Sequence, residues 1–319
     1  MSAPDLSIVL VNWNTRDLLL SCLASLPAGL GGCSAEIWVV DNGSSDGSVA
    51  AVAAAHPEVR LMANRDNRGF AAANNQAIAA SRGRYIVLLN SDTLVRPGAL
   101  AALARFLDVH REVGIVGPEL RNGDGSLQHS WAAFPTLGSE LLGRNVRARR
   151  PYTTRDGGEA YSVDWVGGAC FVIRREAIAQ VGLLDEQYFM YSEEADWCWR
   201  ARQRGWLVCY YPAAQIVHLG GQSSRMASAR MRAELYRSKL IFFYKHRGLA
   251  RSTALALALQ AGFVARGVLA WAWWRLRPGR TEGGQPLRDA LLPALAVGQT
   301  MLQQSRGRLL QANRLPPRS

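Results

Sequence analysis

Cysteine is scarce and does not fall into a pattern. Five occur, at Cys22, Cys33, Cys170, Cys198 and Cys209, with no C-x-x-C pair. The odd count and scattered spacing speak against a disulfide framework and for reduced, cytosolic thiols that serve as small buried hydrophobes. Cofactor signatures are absent too. No G-x-G-x-x-G follows a strand and no G-x-x-x-x-G-K-[ST] occurs, which argues against dinucleotide and ATP chemistry. Without a G-x-S-x-G elbow, a serine hydrolase of the α/β type is not expected. No basic segment precedes the strand-like run that begins at Leu6, so no signal peptide is expected. Acidic residues are nearly missing from the last third. Residues 220–319 hold 17 Lys and Arg against 3 Asp and Glu, whereas residues 1–219 hold 20 against 22. All of the net charge of +12 therefore belongs to the C-terminal third. Such asymmetry fits a tail that meets anionic lipid, nucleic acid or an acidic partner.

What is present suffices for a large core. The chain has 319 residues, 49% of them hydrophobic, with 30 Gly and 13 Pro, which suits one large or two modest globular domains. Its first half alternates two periodicities. Ser7–Trp13 is a continuous apolar run rich in β-branched residues and reads as a buried strand. Thr15–Leu26 has helical spacing and is expected to end at Pro27 and Gly29. Glu36–Val40 is a second strand, closing on a turn-rich loop from Asp41 to Gly47 that can cap the next helix. Val59–Ala63 is a third strand, Phe70–Ala80 a helix, and Tyr85–Leu89 a fourth strand with Asn90-Ser91-Asp92 at its end. Pro97 opens another helix, and Gly114–Gly117 is a fifth strand. This alternation predicts an α/β fold, a mostly parallel sheet with helices on both faces. Ligands of such sheets sit at the carboxyl ends of the strands, where Asn12, Asn14, Asp41 and Asp92 all fall.

Arg121–Tyr161 is weakly periodic and reads as a loop-rich, flexible region over that edge. Ser162–Arg174 reads as strand, Gly167-Gly168 turn, strand. Arg175–Val181 and Glu193–Arg204 are helical, and Trp206–Tyr211 and Gln215–His218 are strands. Beyond His218 the pattern is helical and basic. Ser252–Trp274 is apolar except for Ser252, Thr253, Gln260 and Arg266, long enough for the roughly 20 residues of a membrane span. Arg266 near its centre would cost about 2.5–3.5 kcal/mol on insertion. The end of the segment, Trp271, Trp273, Trp274, Arg275 and Arg277, has an interfacial composition, so a helix lying in the membrane plane suits it better than a span. A helix packed on the catalytic domain suits it equally well.

Tyr191–Trp197 places Glu193, Glu194 and Asp196 within four residues at the start of a helix. A carboxylate held ionised at a helix N-terminus can take a proton from a hydroxyl. Ser192 followed by two glutamates is also what ordinary helix capping looks like.

Six segments decide between these readings. S-I-V-L-V-N-W-N (Ser7–Asn14), V-V-D-N-G-S-S-D (Val39–Asp46), N-R-G-F-A-A-A-N-N-Q-A (Asn67–Ala77), L-L-N-S-D (Leu88–Asp92), W-V-G-G-A-C-F-V-I-R (Trp165–Arg174) and the stretch Val181–Arg200 occur in order. Together they resemble the family 2 glycosyltransferases, and within them the rhamnosyltransferase-like branch. The resemblance covers about Leu6–Gly220. It implies a GT-A fold, a nucleotide-sugar donor such as a dTDP- or UDP-sugar, Mn²⁺ or Mg²⁺, and inversion at the anomeric carbon. Asp92 matches the metal-binding end of the family's Asp-x-Asp motif, while Asn90 replaces its first acid with a neutral oxygen. Asp41 matches the position that holds the nucleoside, and Asn12, Asn67 and the Arg65–Arg68 segment line the same edge. Glu194 matches the general base, in place of the usual Asp, with Glu193 beside it. Asp196 and Arg200, at i,i+4 spacing, are expected to orient the helix as an ion pair. Asp164, Trp165, Gly167 and Gly168 match the loop that faces donor and acceptor. His218 falls where some members place a metal-ligating His; a purely structural histidine fits the sequence equally.

The expectation is therefore an inverting, metal-dependent transferase. It would move a deoxyhexose such as rhamnose onto a cell-surface glycan or lipid-linked acceptor. Residues 1–220 would be the catalytic domain, and residues 221–319 a basic helical region peripheral to the cytoplasmic face of the membrane. A decayed, membrane-associated scaffold is the competing reading, favoured by Asn90. A nucleic-acid partner is not expected, because the basic tail is its sole support and no nucleic-acid motif accompanies it. Self-association into a homo-oligomer is left open.

Overall fold

The computed structural model describes residues 3–142, 149–154, 158–220, 228–275, 295 and 297–300. It divides into two compact units. The first holds Met1–Pro135, Asn145–Phe189 and Glu193–Met226; the second holds Thr136–Arg144, Met190–Ser192 and Ala227–Ser319.

The first unit is built on an 11-stranded mixed sheet. Its strands are β1 (Leu6–Asn12), β2 (Ala35–Asn42), β3 (Arg60–Asn64), β4 (Tyr85–Asn90), β5 (Thr93–Val95), β6 (Val113–Arg121), β7 (Leu127–Gln128), β9 (Arg149–Thr153), β10 (Glu159–Val163), β12 (Cys170–Arg174) and β13 (Leu207–His218). A separate ribbon pairs β8 (Trp131–Ala132) with β11 (Trp165–Val166). The main order is β3-β2-β1-β4-β12-β6-β13-β10-β9, with β5 on β13 and β7 on β6. Strands β1 to β4 are parallel to one another, and β12 enters antiparallel between β4 and β6. The predicted fold class is thus the observed one.

Alternation along the central strands explains why the sheet is covered on both faces. Leu6, Ile8, Leu10, Tyr85, Val87 and Leu89 point to one side. There they meet Leu19, Cys22, Leu23 and Leu26 of helix α1 (Arg16–Leu30) and Leu100, Leu103 and Leu107 of α4 (Ala99–Val109). Val9, Trp38, Val40, Ile86 and Leu88 point to the other. That side is covered by Ala71, Ala73, Ala77 and Ile78 of α3 (Phe70–Ala80), Ala177 of α6 (Arg175–Val181), and Trp197, Cys198 and Ala201 of α7 (Glu193–Gln203). The short α2 (Ser48–Ala55) joins β2 to β3. All five cysteines are free and four are buried.

Several local expectations need correction. Helix α1 runs through Pro27 and ends at Gly31, whose φ of 50° supplies a left-handed cap. Pro27 lacks the N–H that would bond the Leu23 carbonyl, a loss of one backbone bond, and Gly29 inside that last turn lets the helix approach Val95. The two strands expected at Trp206–Tyr211 and Gln215–His218 are one, β13, because a register shift between Tyr211 and Gln215 absorbs Pro212. Arg121–Tyr161, expected to be loop, contains β6's end, β7, β8, β9, most of β10 and a helix, α5 (Leu137–Leu141).

In the second unit α5, α8 (Ser228–Arg247) and α9 (Leu249–Arg275) are held by polar contacts and by ring packing. Lys239 pairs with Glu140 at 2.6 Å, Ser238 Oγ donates to the Met190 carbonyl at 2.8 Å, and Tyr236 meets Phe263 edge-on at 4.9 Å. Along α9, Leu255, Ala256 and Phe263 are buried, whereas Ala250, Ala254, Leu257, Ala261, Val264 and Val268 are exposed. Their i, i+3, i+4 spacing makes an apolar stripe on one helix face. Leu249–Leu269 is long and apolar enough to cross a membrane by length and composition alone. The side chains of Trp271, Trp273 and Trp274 and the basic residues beyond Arg275 lie outside the described residues.

One position tests the packing of the sheet's amino end. A Cβ at Gly83 would come within 2.5 Å of Ser7 N and Ser7 Oγ. Gly83 N also donates to Ser7 Oγ (2.7 Å), which donates to buried Glu36 (2.7 Å). Gly83→Ala is expected to cost about 1–3 kcal/mol through overpacking, read as a lower midpoint in urea unfolding.

Candidate functional site

Register brings the sequence-predicted residues to one edge. In the parallel ladder Asn12 stands opposite Asp41, and Val11 opposite Asn90. Antiparallel β12 pairs Cys170 with Leu89, and the Asn90 amide donates to the Ala169 carbonyl at 3.0 Å. The Gly167-Gly168 turn therefore lies at the carboxyl end of β4. Strand β13 ends there too, because His218 pairs with Thr93 of β5.

At the β1–β2 end, Asn12 and Asp41 are buried and joined. Asn12 Nδ2 donates to Asp41 Oδ1 (2.9 Å) and to Ser44 Oγ (3.2 Å), and Ser44 N donates to Asp41 Oδ2 (2.9 Å). Thr15 Oγ1 completes the set, donating to Asn12 Oδ1 and meeting Ser91 Oγ at 2.9 Å. Each Asp41 oxygen already accepts one bond and keeps a further lone pair. The loop after β2 is tied down as expected of a capping loop: Asp46 accepts from Ser48 N and from Arg16 N, the first residue of α1. Asn67 Oδ1 accepts from Gly69 N at 3.0 Å, ordering the entry to α3. Arg65 and Arg68 are exposed.

At the β4–β13 end, Asp92 is buried and its Oδ1 lies 3.2 Å from His218 Nε2. Asn90 Nδ2 lies 3.5 Å from the same nitrogen. Leu219 N donates to the Asp92 carbonyl at 2.9 Å, so the two segments are locked side by side. His218 Nδ1 faces Gln128 Oε1 at 2.6 Å. A carboxylate and an imidazole nitrogen aimed at each other, with the far ring nitrogen held, suit a divalent cation that takes its remaining ligands from phosphate and water. No group of three or more His, Cys, Asp or Glu forms a self-sufficient metal cage among the described residues.

Across the same edge stands α7. Tyr191 and Ser192, immediately before it, have φ of 70° and 66°. Two successive non-glycine residues in this sparsely populated region are the kind of strain that collects at working sites. The helix is fixed from below. Asp196 is fully buried and accepts from Arg200 Nε (2.8 Å) and the Tyr188 hydroxyl (3.3 Å). Arg200 also donates to the carbonyls of Val181 and Leu183, both at 2.9 Å, and Trp197 Nε1 to that of Gly182 at 2.8 Å. Breaking such a pair would strand a buried charge.

This clamp leaves Glu193 and Glu194 at the first turn. Oε2 of each is buried with no hydrogen-bond partner. Burial pushes the Glu194 carboxyl up to about 7, against the opposing pull of the first-turn N–H groups of Glu194 and Ala195. Burial and then the neighbouring Glu194 charge push Glu193 well above the usual carboxylate range. Both carboxyls are thus held above the usual carboxylate range and titrate as a pair. Gly168 passes close: a Cβ there would lie 3.8 Å from Cδ and Oε1 of Glu194. Glu194 is thereby placed on the same turn whose Ala169 carbonyl holds Asn90.

The other loop residues are spoken for. Asp164 Oδ2 accepts from Phe134 N (2.9 Å), and its Oδ1 faces Arg202 at 3.4 Å. Trp165 Nε1 donates to the Ala133 carbonyl (3.0 Å) and Gly167 N to that of Ser130 (2.8 Å). They pin the Ser130–Phe134 strip to the turn, and Phe134 meets half-exposed Trp199 edge-on at 4.8 Å. Of the two helix tryptophans, Trp197 is therefore core and Trp199 is at the surface. Gln128 went unnoticed in the sequence; only proximity to His218 in space could reveal it.

Comparisons with known proteins agree with this geometry. The model of the family described as "Glycosyl transferase family 2" matches residues 7–182. The N-acetylglucosaminyl-diphospho-decaprenol L-rhamnosyltransferase of Mycobacterium tuberculosis is 32% identical over 236 residues, covering 68% of this chain and 77% of that protein. The rhamnosyltransferase WbbL of Escherichia coli is 26% identical over 168 residues, covering 49% of this chain and 63% of that protein. Among solved structures, the mannosyltransferase PcManGT from Pyrobaculum calidifontis, in complex with GDP-Man and Mn²⁺, superposes with a TM-score of 0.50 at 16% identity, covering 95% of this chain and 88% of that one. That likeness speaks for the GT-A-like fold. Sheet, edge and sequence together place this chain in the glycosyl transferase family 2, among its rhamnosyltransferase-like members.

Proposed function

We propose that the chain is an inverting, cation-dependent glycosyltransferase that moves a deoxyhexose such as rhamnose from a dTDP- or UDP-linked donor to a lipid-linked or growing glycan acceptor. The observation that carries this reading is the Glu194 carboxylate. It is half-buried, has a buried, unpartnered Oε2, and stands over Gly168 beside the Asn90–Asp92 strand end. A base so placed takes the proton of an acceptor hydroxyl as that hydroxyl attacks the anomeric carbon from the side opposite the departing diphosphate. One displacement of this kind inverts the centre. Glu194 must be ionised to act, and its raised pKa makes it a stronger base than a surface carboxylate.

Asp92 and His218 would hold Mn²⁺ or Mg²⁺, which supplies charge stabilisation to the leaving diphosphate. Asn12, Asp41 and Asn67 would line the nucleoside end, where the remaining Asp41 lone pairs suit a ribose hydroxyl or an imide N–H. Asp164, Trp165, Gly167 and Gly168 would shape the wall between donor and acceptor. The rhamnosyl chemistry is supported by the names of the mycobacterial and E. coli relatives, and the lipid-linked acceptor by that of the former. The Mn²⁺ of the Pyrobaculum enzyme supports the cation.

Residues 1–220 would carry the chemistry, and residues 221–319 would keep the enzyme at the cytoplasmic membrane surface. The exposed stripe Ala254, Leu257, Ala261, Val264 and Val268 in a strongly basic region is the support for the latter. Asn90 in place of an acid is what favours an impaired scaffold instead. Stabilisation by UDP and Mn²⁺ without any turnover of nucleotide sugars would decide for that reading.

Four outcomes are expected. Glu194→Gln lowers kcat about 10²- to 10⁴-fold in a sugar-transfer assay while leaving donor binding intact; full activity would remove Glu194 from the base role. In the wild type kcat/KM rises with pH through an inflection at about 7, because the base works only when deprotonated. EDTA abolishes transfer, added Mn²⁺ restores it, and Asp92→Ala or His218→Ala is not restored. Finally, Leu257→Asp with Val264→Asp is expected to reduce flotation with anionic vesicles several-fold while leaving hydrolysis of the nucleotide sugar unchanged.

A further inference from the structure

The amide of Gln128 has its orientation fixed by a group that cannot rotate. Gln128 Nε2 lies 3.3 Å from the main-chain carbonyl of His218, and 2.7 Å from Asn122 Oδ1. A carbonyl oxygen accepts and never donates, so the nitrogen of the Gln128 amide must face it. The oxygen then faces His218 Nδ1, at 2.6 Å. An amide oxygen is likewise only an acceptor, so Nδ1 must carry the proton. Neutral imidazole has one N–H; with that proton on Nδ1, Nε2 presents its lone pair toward Asp92 Oδ1, 3.2 Å away.

Asn122 is held in turn. Its Nδ2 donates to Ser126 Oγ at 2.9 Å, its amide N–H to the Ser126 carbonyl at 2.8 Å, and Gly125 N to the Asn122 carbonyl at 2.9 Å. The tight turn Asn122–Ser126, stapled by Asp124 to Ser126 N and Oγ, therefore carries the Gln128 orientation. Strands β6 and β7 fix its height, pairing Leu120 with Gln128.

We infer that Gln128 is a positioning residue: it holds His218 in the Nδ1–H tautomer and thereby aims Nε2 as a lone-pair donor at a divalent cation shared with Asp92. This rests on the cation assignment proposed above. The geometry has the logic of an outer-sphere partner that orients a metal-binding imidazole, whose removal typically costs about 10- to 100-fold in metal affinity. It also accounts for how a site with Asn90 in place of an acid keeps a second strong donor. Asn90 Nδ2, 3.5 Å from Nε2, can leave that lone pair to the cation and turn its own oxygen inward.

The test reads the tautomer and the affinity separately. In full-length protein with ¹⁵N-labelled histidine, long-range ¹H–¹⁵N spectra at a pH where imidazole is neutral are expected to show His218 as the Nδ1–H form, identified by loss of its signals in His218→Ala. Gln128→Leu should move it toward the Nε2–H form that is usual in water. Electron paramagnetic resonance titration of Mn²⁺ in the presence of UDP should show roughly 10- to 100-fold weaker binding by Gln128→Leu, with an unchanged circular dichroism spectrum. An Nε2–H tautomer in the wild type overturns the inference with no variant needed. So does unchanged Mn²⁺ affinity in Gln128→Leu where His218→Ala weakens it. Unchanged affinity in His218→Ala would instead overturn the cation assignment itself.

Discussion

The hydrogen bond from the Asn90 amide to the Ala169 carbonyl is the joint on which the site depends. It closes the ladder between parallel β4 and antiparallel β12. With it, the Gly167-Gly168 turn is delivered to the strand end that carries Asp92, and Gly168 lies against the Glu194 carboxylate. The proposed base and cation ligands are thus brought to one edge by backbone pairing, which is stiff, and not by long side chains, which are not.

The helix that carries Glu194 is placed with similar economy. Asp196, Arg200 and Trp197 are all spent on anchoring α7 to the chain just before it. Arg200 and Trp197 donate to the main-chain carbonyls of Val181, Gly182 and Leu183, and Asp196 accepts from Arg200 and the Tyr188 hydroxyl. That leaves the two carboxylates of the first turn with unsatisfied oxygens in a buried setting. Capping and catalysis do not compete here. The N–H groups of the first turn favour the charged form of Glu194 while burial opposes it, and burial prevails, raising the carboxyl to about 7, which suits the base role proposed for it.

Much of this was legible in the sequence, for reasons that can be named. Strands β1, β2 and β4 are continuous apolar runs, and the helices between them carry their own spacing, so the parallel half of the sheet and its carboxyl edge followed from periodicity. Asn12, Asp41, Asn90 and Asp92 were legible because each ends such a strand. The rest was hidden where periodicity has too few residues to work on. Strands β7 and β8 have two residues each, so their part of the region between Arg121 and Tyr161 read as loop, and the three-residue β5 was missed for the same reason. Pro212 falsely divided β13, since a register shift is invisible in one strand read alone. Gln128 was hidden for a different reason: its partner is 90 residues away, and an isolated glutamine carries no signature. The burial of Glu193, which raises its carboxyl well above the usual range, depends likewise on contacts and not on its neighbours in sequence.

The central claim is that one sheet edge assembles a cation site and a base around a nucleotide sugar. A crystal structure of the enzyme soaked with Mn²⁺ and UDP tests it most directly. The account predicts an anomalous manganese peak bonded to Asp92 and His218 Nε2 and to diphosphate oxygens, with the Glu194 carboxylate facing the vacant sugar position. Manganese held elsewhere, or a diphosphate bound away from Asp92 with Glu194 turned from it, would contradict the account.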